Sequence, residues 1–430
     1  MQVLVIGATG LIGSAVVARL LDTGHEVRAL ARQTARARRS QPEAVWVSLD
    51  IAGATRPEDW RSCLADVDAV VNCAGVLQDS PADSTRGVHT DGIAALFAAC
   101  EHAGVRRVVH LSAIGIDRET PTEFSRTKRE GDEALMRRDL EWVILRPSVV
   151  LGPAAYGGSA LFRGLAALPV LPVMLDTGPL QIVQLDVVVA TVMFFLAPAA
   201  PSRIALDLAG PERLAFAEIV CRYRAWLGWR EPRVVTLPRW IGAALYRVGD
   251  FAGRLGWRPP LRSTARREIT RGAIGDPRRW TELTGIAPQS LSAALIRRPA
   301  SVQERWFAGL YALKPVVFVT FSLFWIVTGL LSLGPGFEIG ADLMRQGGAG
   351  VLSAPAVIAG GIVDIAIGCA IAWRRTTYLG LWAAIAISLF YIVAGTLMTP
   401  WLWAEPLGPF LKIFPILVLN LVALAILEDR

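Results

Sequence analysis

Three glycines near the N-terminus have the spacing of a dinucleotide-binding turn. The apolar strand Val3–Ile6 runs into Gly7, Gly10 and Gly13, and an amphipathic helix follows. The first glycine permits the sharp exit from the strand, the second lets the backbone approach a pyrophosphate, and the third allows close helix packing. The helix N-terminus then offers N–H groups and partial positive charge to the phosphates; an ordinary tight turn is the alternative. The residues expected to contact the dinucleotide here are Gly7, Thr9, Gly10, Leu11, Ile12 and Gly13.

The end of the second predicted strand indicates which dinucleotide binds. NAD-selective sites carry an acid there, which binds the ribose 2′-hydroxyl. Here the segment after Glu26 contains several arginines and no acid, and Arg32 at the strand end suits a 2′-phosphate. The sequence therefore favours NADPH over NADH, with a solvated arginine loop as the alternative. Asp50, which ends the third strand, is expected to bind the adenine amino group, and Ala74 and Gly75 are expected along the adenine ribose.

Alternating strand and helix patterns position these residues. The alternation is typical of an α/β fold, an NAD(P)-binding Rossmann-like doubly wound parallel sheet with helices on both faces. We assign residues 1–150 to this core and 151–299 to a substrate-side subdomain of the same head. The predicted strands are Val3–Ile6, Val27–Leu30, Val45–Leu49, Ala69–Asn72, Arg107–Leu111, Trp142–Arg146 and Ile204–Leu208. The predicted helices include Ile12–Asp22, Pro57–Leu64, Thr90–His102, Glu123–Arg137, Asp186–Leu196, Phe216–Gly228 and Ile241–Leu255.

The composition changes after about residue 310, where long apolar runs contain almost no charge. Each run has roughly the 20 residues that cross a bilayer, and the mean hydropathy of the chain is +0.43. We therefore predict a linker at 300–314 and an all-α four-helix transmembrane bundle at 315–430. The predicted spans are about 315–333, 351–373, 378–398 and 410–427.

The cationic residues predict the orientation of a multi-pass cell-membrane protein. Arg297, Arg298, Arg305 and Lys314 precede the first span, and Arg374–Arg375 separate the second from the third. Positive charge marks cytoplasmic segments, so the N-terminal head and the C-terminus are predicted to be cytoplasmic. The N-terminal apolar run is broken by glycines and lacks a charged leader region, so we do not read it as a signal peptide.

Charge and cysteine usage exclude other functions. The net charge is +7, which with several spans favours contact with anionic lipid over nucleic acid, and no nucleic-acid-binding motif is present. The five cysteines form no CxxC pair, and the four histidines form no ligand pair at helical spacing. We therefore predict no metal site and expect the histidines to be surface or sheet residues.

The head resembles the atypical and extended short-chain dehydrogenases, closest to NmrA-like proteins and the NADPH-binding accessory subunit of respiratory complex I. The resemblance rests on VIGATGLIG, VNCAGV, VHTDGIAALFAACEHAGVRRVVHLSAIGID, EFSRTKREGDEAL and WVILRPSVVLGP, and covers most of residues 1–290. It implies that Ser112 orients a substrate carbonyl. It also implies that Lys128, the lysine of a YxxxK motif, binds the nicotinamide ribose and lowers the pKa of a tyrosine four residues earlier.

That tyrosine is replaced by Phe124. A phenyl ring cannot exchange the proton that carbonyl reduction requires, so ordinary dehydrogenase turnover is in doubt while cofactor binding is not. The accessory subunit of complex I, which the head resembles, is thought to use its nucleotide structurally, which makes a non-catalytic role consistent with the resemblance.

The C-terminal region resembles DoxX-like membrane domains, whose relatives are linked to quinone and thiol redox systems. The resemblance covers about residues 310–430 and includes EPLGPFLKIFPILVLNLVALAILEDR. Polar residues within spans are costly and need a partner or a function. Asp364 in the second span therefore indicates either a quinone or proton site or an interhelical hydrogen bond, and Asn420 lies within the fourth span.

Two functions follow. In the first, a membrane-anchored NADPH-dependent oxidoreductase passes hydride to a quinone or other hydrophobic substrate from the bilayer. Ser112 and Lys128 would polarise the acceptor, and water or the substrate would supply the proton. One-electron chemistry would need a redox partner protein. In the second, the head is a non-catalytic NADPH-bound scaffold or sensor coupled to a respiratory or redox membrane complex. Phe124 favours the second function, and Lys128 and Ser112 favour the first.

Overall fold

A computed structural model describes residues 1–81, 83–174 and 176–428. The chain forms two compact units. The first comprises Met1–Phe251 and Pro259–Ala308, and the second comprises Ala252–Arg258 together with the chain from Gly309 onward. A short segment from the middle of the sequence therefore belongs to the C-terminal unit.

Eleven strands occur in the described residues. They are β1 (Gln2–Ile6), β2 (Glu26–Ala31), β3 (Val45–Ser48), β4 (Ala69–Asn72), β5 (Arg107–Leu111), β6 (Glu141–Pro147), β7 (Val149–Leu151), β8 (Val170–Val173), β9 (Ile182–Gln184), β10 (Ile204–Leu208) and β11 (Arg233–Thr236). Seven of them form one parallel sheet in the order β3-β2-β1-β4-β5-β6-β10. The predicted doubly wound sheet is confirmed, and all seven predicted strands belong to it.

Helices α1 to α12 begin in the first unit. They are α1 (Leu11–Asp22), α2 (Ala35–Ser40), α3 (Arg61–Leu64), α4 (Gly92–Ala103), α5 (Glu123–Met136), α6 (Gly158–Ala166), α7 (Leu185–Leu196), α8 (Phe216–Trp226), α9 (Arg239–Arg254), α10 (Ser263–Arg271), α11 (Arg278–Thr284) and α12 (Leu291–Ile296). A 3₁₀ turn at Pro57–Trp60 and a π turn at Gly87–Asp91 complete the helical segments.

The sheet is buried on both faces because successive residues of its central strands are all apolar. Val3 and Val5 of β1 pack into a core with α1 and α7, whereas Leu4 and Ile6 pack on the other side with α3 and α4. Alternate side chains of a strand point to opposite faces, so each residue from Val3 to Ile6 contributes to one of the two cores. Burial on both faces is the usual state of a parallel sheet.

The C-terminal half of the first unit adds two small parallel sheets and a third core. The strand pairs are β7 with β9 and β8 with β11, and the core includes Phe162, Leu171, Tyr223 and Leu291. This region follows β6 in sequence, as the substrate-side subdomain is expected to do.

The second unit is helical. Its helices are α13 (Val302–Leu333), which begins within the first unit, α14 (Phe337–Gln346), α15 (Ser353–Ala372), α16 (Thr377–Met398) and α17 (Ile413–Ala425). The helical segments Val302–Leu333, Gly350–Ala372 and Thr377–Met398 are apolar and long enough to cross a membrane. The segment 300–314, which the sequence predicts as a linker, contributes the first turns of α13.

The fourth predicted span differs from the other three. Its helix, α17, has 13 residues, fewer than the roughly 20 that a span perpendicular to the bilayer needs. The chain before it forms a 3₁₀ turn at Pro400–Ala404 and further turns around Gly408, whose φ is +57°. Proline and a left-handed glycine interrupt helix formation there, so the helix begins only at Ile413.

Candidate functional site

The turn between β1 and α1 is built by glycines that no other residue could replace without displacement. Gly7 has a φ of +70°, and a Cβ added to it would lie 2.9 Å from the Ala74 backbone. A Cβ on Gly13 would lie 2.2 Å from the Gly7 carbonyl oxygen. Gly10 is the N-cap of α1 and supplies no capping side chain. The helix therefore begins close against the strand with its N-terminus open to an anion.

The turn after β4 approaches this glycine turn from the neighbouring strand. The Asn72 side-chain oxygen accepts a hydrogen bond from Ala74 N at 3.0 Å, and the Asn72 amide nitrogen lies 3.0 Å from His110 Nδ1. These contacts fix the backbone of Ala74 and Gly75, the residues expected along the adenine ribose. A Cβ on Gly75 would lie 3.4 Å from Lys128 Nζ, so this turn also lies next to the predicted catalytic lysine.

Lys128 projects from α5 into the space between the ends of β4 and β5. Its ammonium group donates hydrogen bonds to the carbonyl oxygens of Leu111 at 2.9 Å and Ala74 at 3.1 Å. Burial lowers the pKa of Lys128 to about 8, against the opposing charge of Asp132. A buried ammonium that donates to two backbone oxygens is costly to desolvate.

Ser112 lies at the end of β5 beside a buried ionic network. Arg146 contacts the Asp132 carboxylate at 3.1 Å, and His110 Nε2 lies 3.5 Å from the same carboxylate. Burial would raise the pKa of Asp132, but the adjacent His110 and Arg146 bring it below its ordinary value. Burial lowers the pKa of His110. The network holds the ends of β5, β6 and α5 together.

Phe124 lies on α5, one turn before Lys128, where the resembled family has its tyrosine. Its ring meets His89 edge-on, with centroids 5.6 Å apart. His89 Nε2 accepts a hydrogen bond from Val76 N at 3.0 Å, so Nδ1 carries the hydrogen and donates it to Thr127 Oγ1 at 3.0 Å. Burial holds the pKa of His89 well below its ordinary value, assisted by the charge of Lys128.

His89 is therefore a buried neutral residue of the site, and the expectation that the histidines are surface or sheet residues is wrong for it. It lies in the π turn Gly87–Asp91, outside any strand. In the sequence, His89 is marked only by its position in VHTDG, directly before α4. That position indicates a role in the site only once the turn is known to pack against α5.

A helix from the C-terminal part of the first unit closes over the loop that follows β5. Arg271 of α10 donates to the carbonyl oxygens of Ile114 at 3.0 Å and Glu119 at 2.9 Å. Glu268 pairs with Arg271 at 2.9 Å and accepts a hydrogen bond from the hydroxyl of Thr122, the N-cap of α5. The sequence pattern did not link α10 to this site, because more than 130 positions separate Thr122 from Glu268.

The residues predicted to select the cofactor lie apart from Lys128. Arg32 follows β2, and its guanidinium pairs with the Asp83 carboxylate at 2.6 Å. Asp50 is exposed, and its carboxylate accepts a hydrogen bond from Ala52 N at 3.3 Å. Thr9 is exposed, and Leu11 and Ile12 are partly buried at the start of α1. Asp83, which no sequence motif marks, places a carboxylate next to Arg32, the residue predicted to bind the 2′-phosphate.

The comparisons with known proteins assign each unit separately. A family described as NAD(P)H-binding matches residues 7–162, and the DoxX-like family matches residues 322–421. The solved UDP-glucuronic acid 4-epimerase from Bacillus cereus, bound to UDP-glucuronic acid and NAD, has a TM-score of 0.54 and 17% identity. The match covers 72% of this chain and 100% of that one, and at this identity it supports the fold.

Curated relatives that match part of the chain include two reductases and an assembly factor. The chain is 24% identical over 240 residues to ceramide reductase of Caulobacter vibrioides, covering 55% of this chain and 73% of that protein. It is 25% identical over 229 residues to the NAD(P)H azoreductase of Xenophilus azovorans, covering 53% and 74%. It is 25% identical over 177 residues to the photosystem II assembly factor Ycf39 of Guillardia theta, covering 40% and 51%.

The chain thus joins an N-terminal NAD(P)H-binding domain of Rossmann-like fold to a C-terminal DoxX-like domain with three membrane-capable helices. The predicted resemblances are confirmed for both units. The glycine turn, the uncapped start of α1 and the fixed backbone of Ala74 and Gly75 fit a dinucleotide.

Proposed function

We propose that this protein is a membrane-anchored NADPH-dependent reductase of a hydrophobic carbonyl compound or quinone. The observation that carries the proposal is the buried ammonium of Lys128, held between Ala74 and Leu111 next to the predicted dinucleotide turn. Its desolvation is unfavourable for folding, and perturbed buried groups cluster at functional sites. Two of the relatives are named as reductases, which supports the same class of reaction.

In this proposal the bound NADPH would supply a hydride. The substrate oxygen would lie against Ser112 and Lys128, whose hydroxyl and ammonium groups donate hydrogen bonds and stabilise the negative charge that develops there. Lys128 would also give the proton that Phe124 cannot give, and water would restore it. A pKa of about 8 suits this role, because an acid works best when its pKa lies near the operating pH.

The substrate class follows from the anchoring. A head attached to membrane-capable helices meets lipophilic molecules more often than soluble ones, and one relative is named ceramide reductase. We propose a lipid-like ketone or aldehyde as substrate, and a membrane quinone as the second candidate acceptor. The head and the C-terminus are proposed to be cytoplasmic, because Arg374 and Arg375 lie between α15 and α16 and cationic loops favour that side. Arg374 also donates to the Leu427 carbonyl oxygen at 3.2 Å, so the chain after α17 lies beside the same loop.

NADPH is proposed over NADH on the position of Arg32 after β2. A 2′-phosphate would compete with Asp83 for this guanidinium. The doubly charged phosphate should attract this exposed arginine more strongly than the single charge of the carboxylate does, since bidentate arginine–phosphate pairs are strong. Asp50 is proposed to bind the adenine amino group, and Gly7, Gly10 and Gly13 the pyrophosphate.

A non-catalytic NADPH-bound scaffold or sensor is the second candidate. Phe124 favours it, because the ring occupies the position of the proton-transferring tyrosine and packs on the neutral His89. One relative is named as an assembly factor, which is consistent with a role in which the head binds a nucleotide and organises other proteins.

The test uses the full chain in detergent micelles. NADPH and NADH are titrated by energy transfer from tryptophan to nicotinamide, and the signal is then followed after addition of long-chain aldehydes, ketones and quinones. We expect NADPH to bind more tightly and to be consumed by one class of acceptor. Phe124→Tyr should raise turnover by roughly tenfold or more, as an added proton donor does, while Lys128→Met should abolish it.

Lys128→Arg is the matched control, because it keeps the positive charge at a pKa too high for proton donation. It should retain more nucleotide affinity than Lys128→Met while turning over slowly. Bound NADPH that no acceptor oxidises, even in Phe124→Tyr, would leave the scaffold as the function. Failure to bind either nucleotide would contradict both candidates.

A further inference from the structure

Helix α9 exposes an apolar face in the first unit. Trp240, Val248 and Phe251 are 72%, 65% and 60% exposed, and Ala244 is exposed between them. These four residues, the α9 apolar face, follow one another at spacings of four, four and three residues, so they form one stripe along the helix. A soluble helix normally buries such a stripe, whereas α9 presents it outward.

Small residues on the opposite face of α9 pack against the first unit. Gly249 lies so close to the Leu261 carbonyl oxygen that an added Cβ would be 1.7 Å from it. Gly242 and Tyr246 are buried on the same side. Larger side chains on the inward side of α9 would not fit at this distance. Rotation of α9 about its axis therefore cannot bury the α9 apolar face against the first unit.

Cationic residues flank the α9 apolar face. Arg239, Arg247 and Arg254 are exposed on this helix. The one acid in α9, Asp250, is held by Arg262 at 3.4 Å and by Ser263 N at 3.2 Å. The exposed part of the helix thus combines large apolar side chains with positive charge, the composition of helices that lie in the interface of an anionic bilayer.

The end of α9 leads directly into the membrane unit. Phe251 is followed by Ala252–Arg258, a segment that belongs to the second unit. Within that unit the Trp257 indole donates to the Ala372 carbonyl oxygen at 2.8 Å, and Arg374 N donates to the Leu255 carbonyl oxygen at 3.0 Å. These contacts lie where α15 ends, and the ends of membrane-spanning helices lie at the membrane surface.

Phe251 and Val248 precede Leu255 by four and seven residues in the chain, so the α9 apolar face is followed within a few residues by the segment that contacts the end of α15. Trp306, which is also strongly exposed, is two residues before the first unit ends in α13. Tryptophan is enriched at membrane–water interfaces.

We propose that α9 lies in the interface of an anionic lipid bilayer, with the α9 apolar face inserted at the boundary of headgroups and acyl chains. The arginines along its flank contact lipid phosphates. The helix would hold the dinucleotide-binding unit at the membrane surface by a contact additional to the covalent anchor, whether or not the protein catalyses a reaction.

The test is photocrosslinking in the intact protein reconstituted into vesicles of phosphatidylcholine and phosphatidylglycerol. The photoreactive residue p-benzoylphenylalanine replaces Val248 in one variant and Phe251 in a second. Val45, which is 58% exposed at the edge strand β3, is the matched control. After illumination, mass spectrometry identifies adducts. We expect lipid adducts at positions 248 and 251 at least tenfold above those at position 45, with a lower yield in vesicles of phosphatidylcholine alone.

Each other outcome overturns part or all of the proposal. Lipid yields at 248 and 251 equal to that at 45 would place α9 in water. Adducts to a second copy of the chain would make this face a protein interface instead. An unchanged yield in phosphatidylcholine vesicles would remove the role of the arginines. The two test positions guard against a variant that fails to fold, because they are expected to agree.

Discussion

The two units each bury a carboxylate, and they satisfy it in different ways. In the first unit, Asp132 is 2% exposed and contacts Arg146 and His110. In the second, Asp364 is 3% exposed and accepts a hydrogen bond from the neutral Tyr391 hydroxyl at 3.0 Å. Asn420 of α17 is fully buried, and neither of its side-chain amide atoms has a hydrogen-bond partner among the described residues.

The difference follows from the backbone around each group. At the end of a parallel sheet the strands stop hydrogen-bonding, so the turns supply free carbonyl groups, as Ala74 and Leu111 do for Lys128. In a bundle every helix consumes its own backbone groups, so a buried carboxylate depends on another helix for its partner, as Asp364 depends on Tyr391. The sheet edge can therefore support a charged site, while polar groups in the bundle are satisfied one by one.

The largest expected effect is on Asp132. Replacing Asp132 by Ala removes the buried counter-charge of Arg146, which keeps only its contact with the exposed Asp117 carboxylate at 3.2 Å among the described residues. We expect a loss near the lower end of the about 3–5 kcal/mol that breaking a buried pair costs. Urea unfolding of the detergent-solubilised protein, followed by circular dichroism, measures the loss. Asp139→Ala is the matched control, because its ion pair with Arg203 is exposed and should change stability by less than about 1 kcal/mol. Equal effects of the two variants would remove the contrast between buried and surface charge.

The second prediction concerns pH. The pKa of Lys128 is lowered from 10.5 to about 8 in the folded protein, so between these values the unfolded chain binds more protons than the folded one. Lys128 should therefore contribute a gain in stability of roughly 3 kcal/mol as the pH increases from about 8 to 10.5. Burial raises the pKa values of the Cys73 and Cys100 thiols to about 12, which opposes this gain above about pH 9, so the Lys128 contribution is measured as the difference from Lys128→Met. Urea unfolding at intervals across this range would detect the rise.

Lys128→Met should lose this contribution, so the stability difference between the native protein and the variant should change by roughly 3 kcal/mol across this range. Lys412→Met, at an exposed position before α17, should show no such change. A difference between native protein and Lys128→Met that does not depend on pH would weaken the comparison between the sheet edge and the bundle.

The smallest expected effect is in the second unit. Asn420→Leu removes a buried amide whose atoms have no partner among residues 1–81, 83–174 and 176–428, and a leucine of similar volume suits the apolar surroundings. Since an unpaired polar group is costly, stability should be unchanged or higher by about 1 kcal/mol. Thermal unfolding in detergent compares the variant with the native protein. A large loss would indicate that Asn420 binds a ligand or water in the membrane.

Local patterns were sufficient to predict most of the fold. β1 and α1 were predicted from a continuous apolar strand, three glycines and a helical period, and the structure has them within one residue of the prediction. The membrane-capable helices were predicted from length and hydropathy alone. The fourth predicted span remains a prediction. Turns around Gly408 shorten its helix, α17, and an apolar run does not reveal where a helix will begin.

The sequence predicted residues of the candidate site only where they lie together in one short segment. Gly13 packs against Gly7 and Ala8, a few residues away, so the glycine spacing identifies it, whereas the contact of Gly7 with Ala74 joins distant parts of the chain. Other contacts of the site join residues that are separated by long stretches of chain. They are Asp83 with Arg32, Glu268 with Thr122 and His89 with Phe124. No periodicity links such residues, because their meeting depends on how loops and helices pack around the end of the sheet.

By itself the sequence determined the class of each unit, since strand, turn and helix periods and hydropathy are local properties. It also determined the chemistry available, including the loss of the tyrosine at Phe124. The tertiary structure alone decided that Lys128 is a desolvated cation between two strand ends and that α9 turns its apolar face outward. Desolvation and exposure depend on which distant residues surround a side chain, and that is a property of the folded chain only.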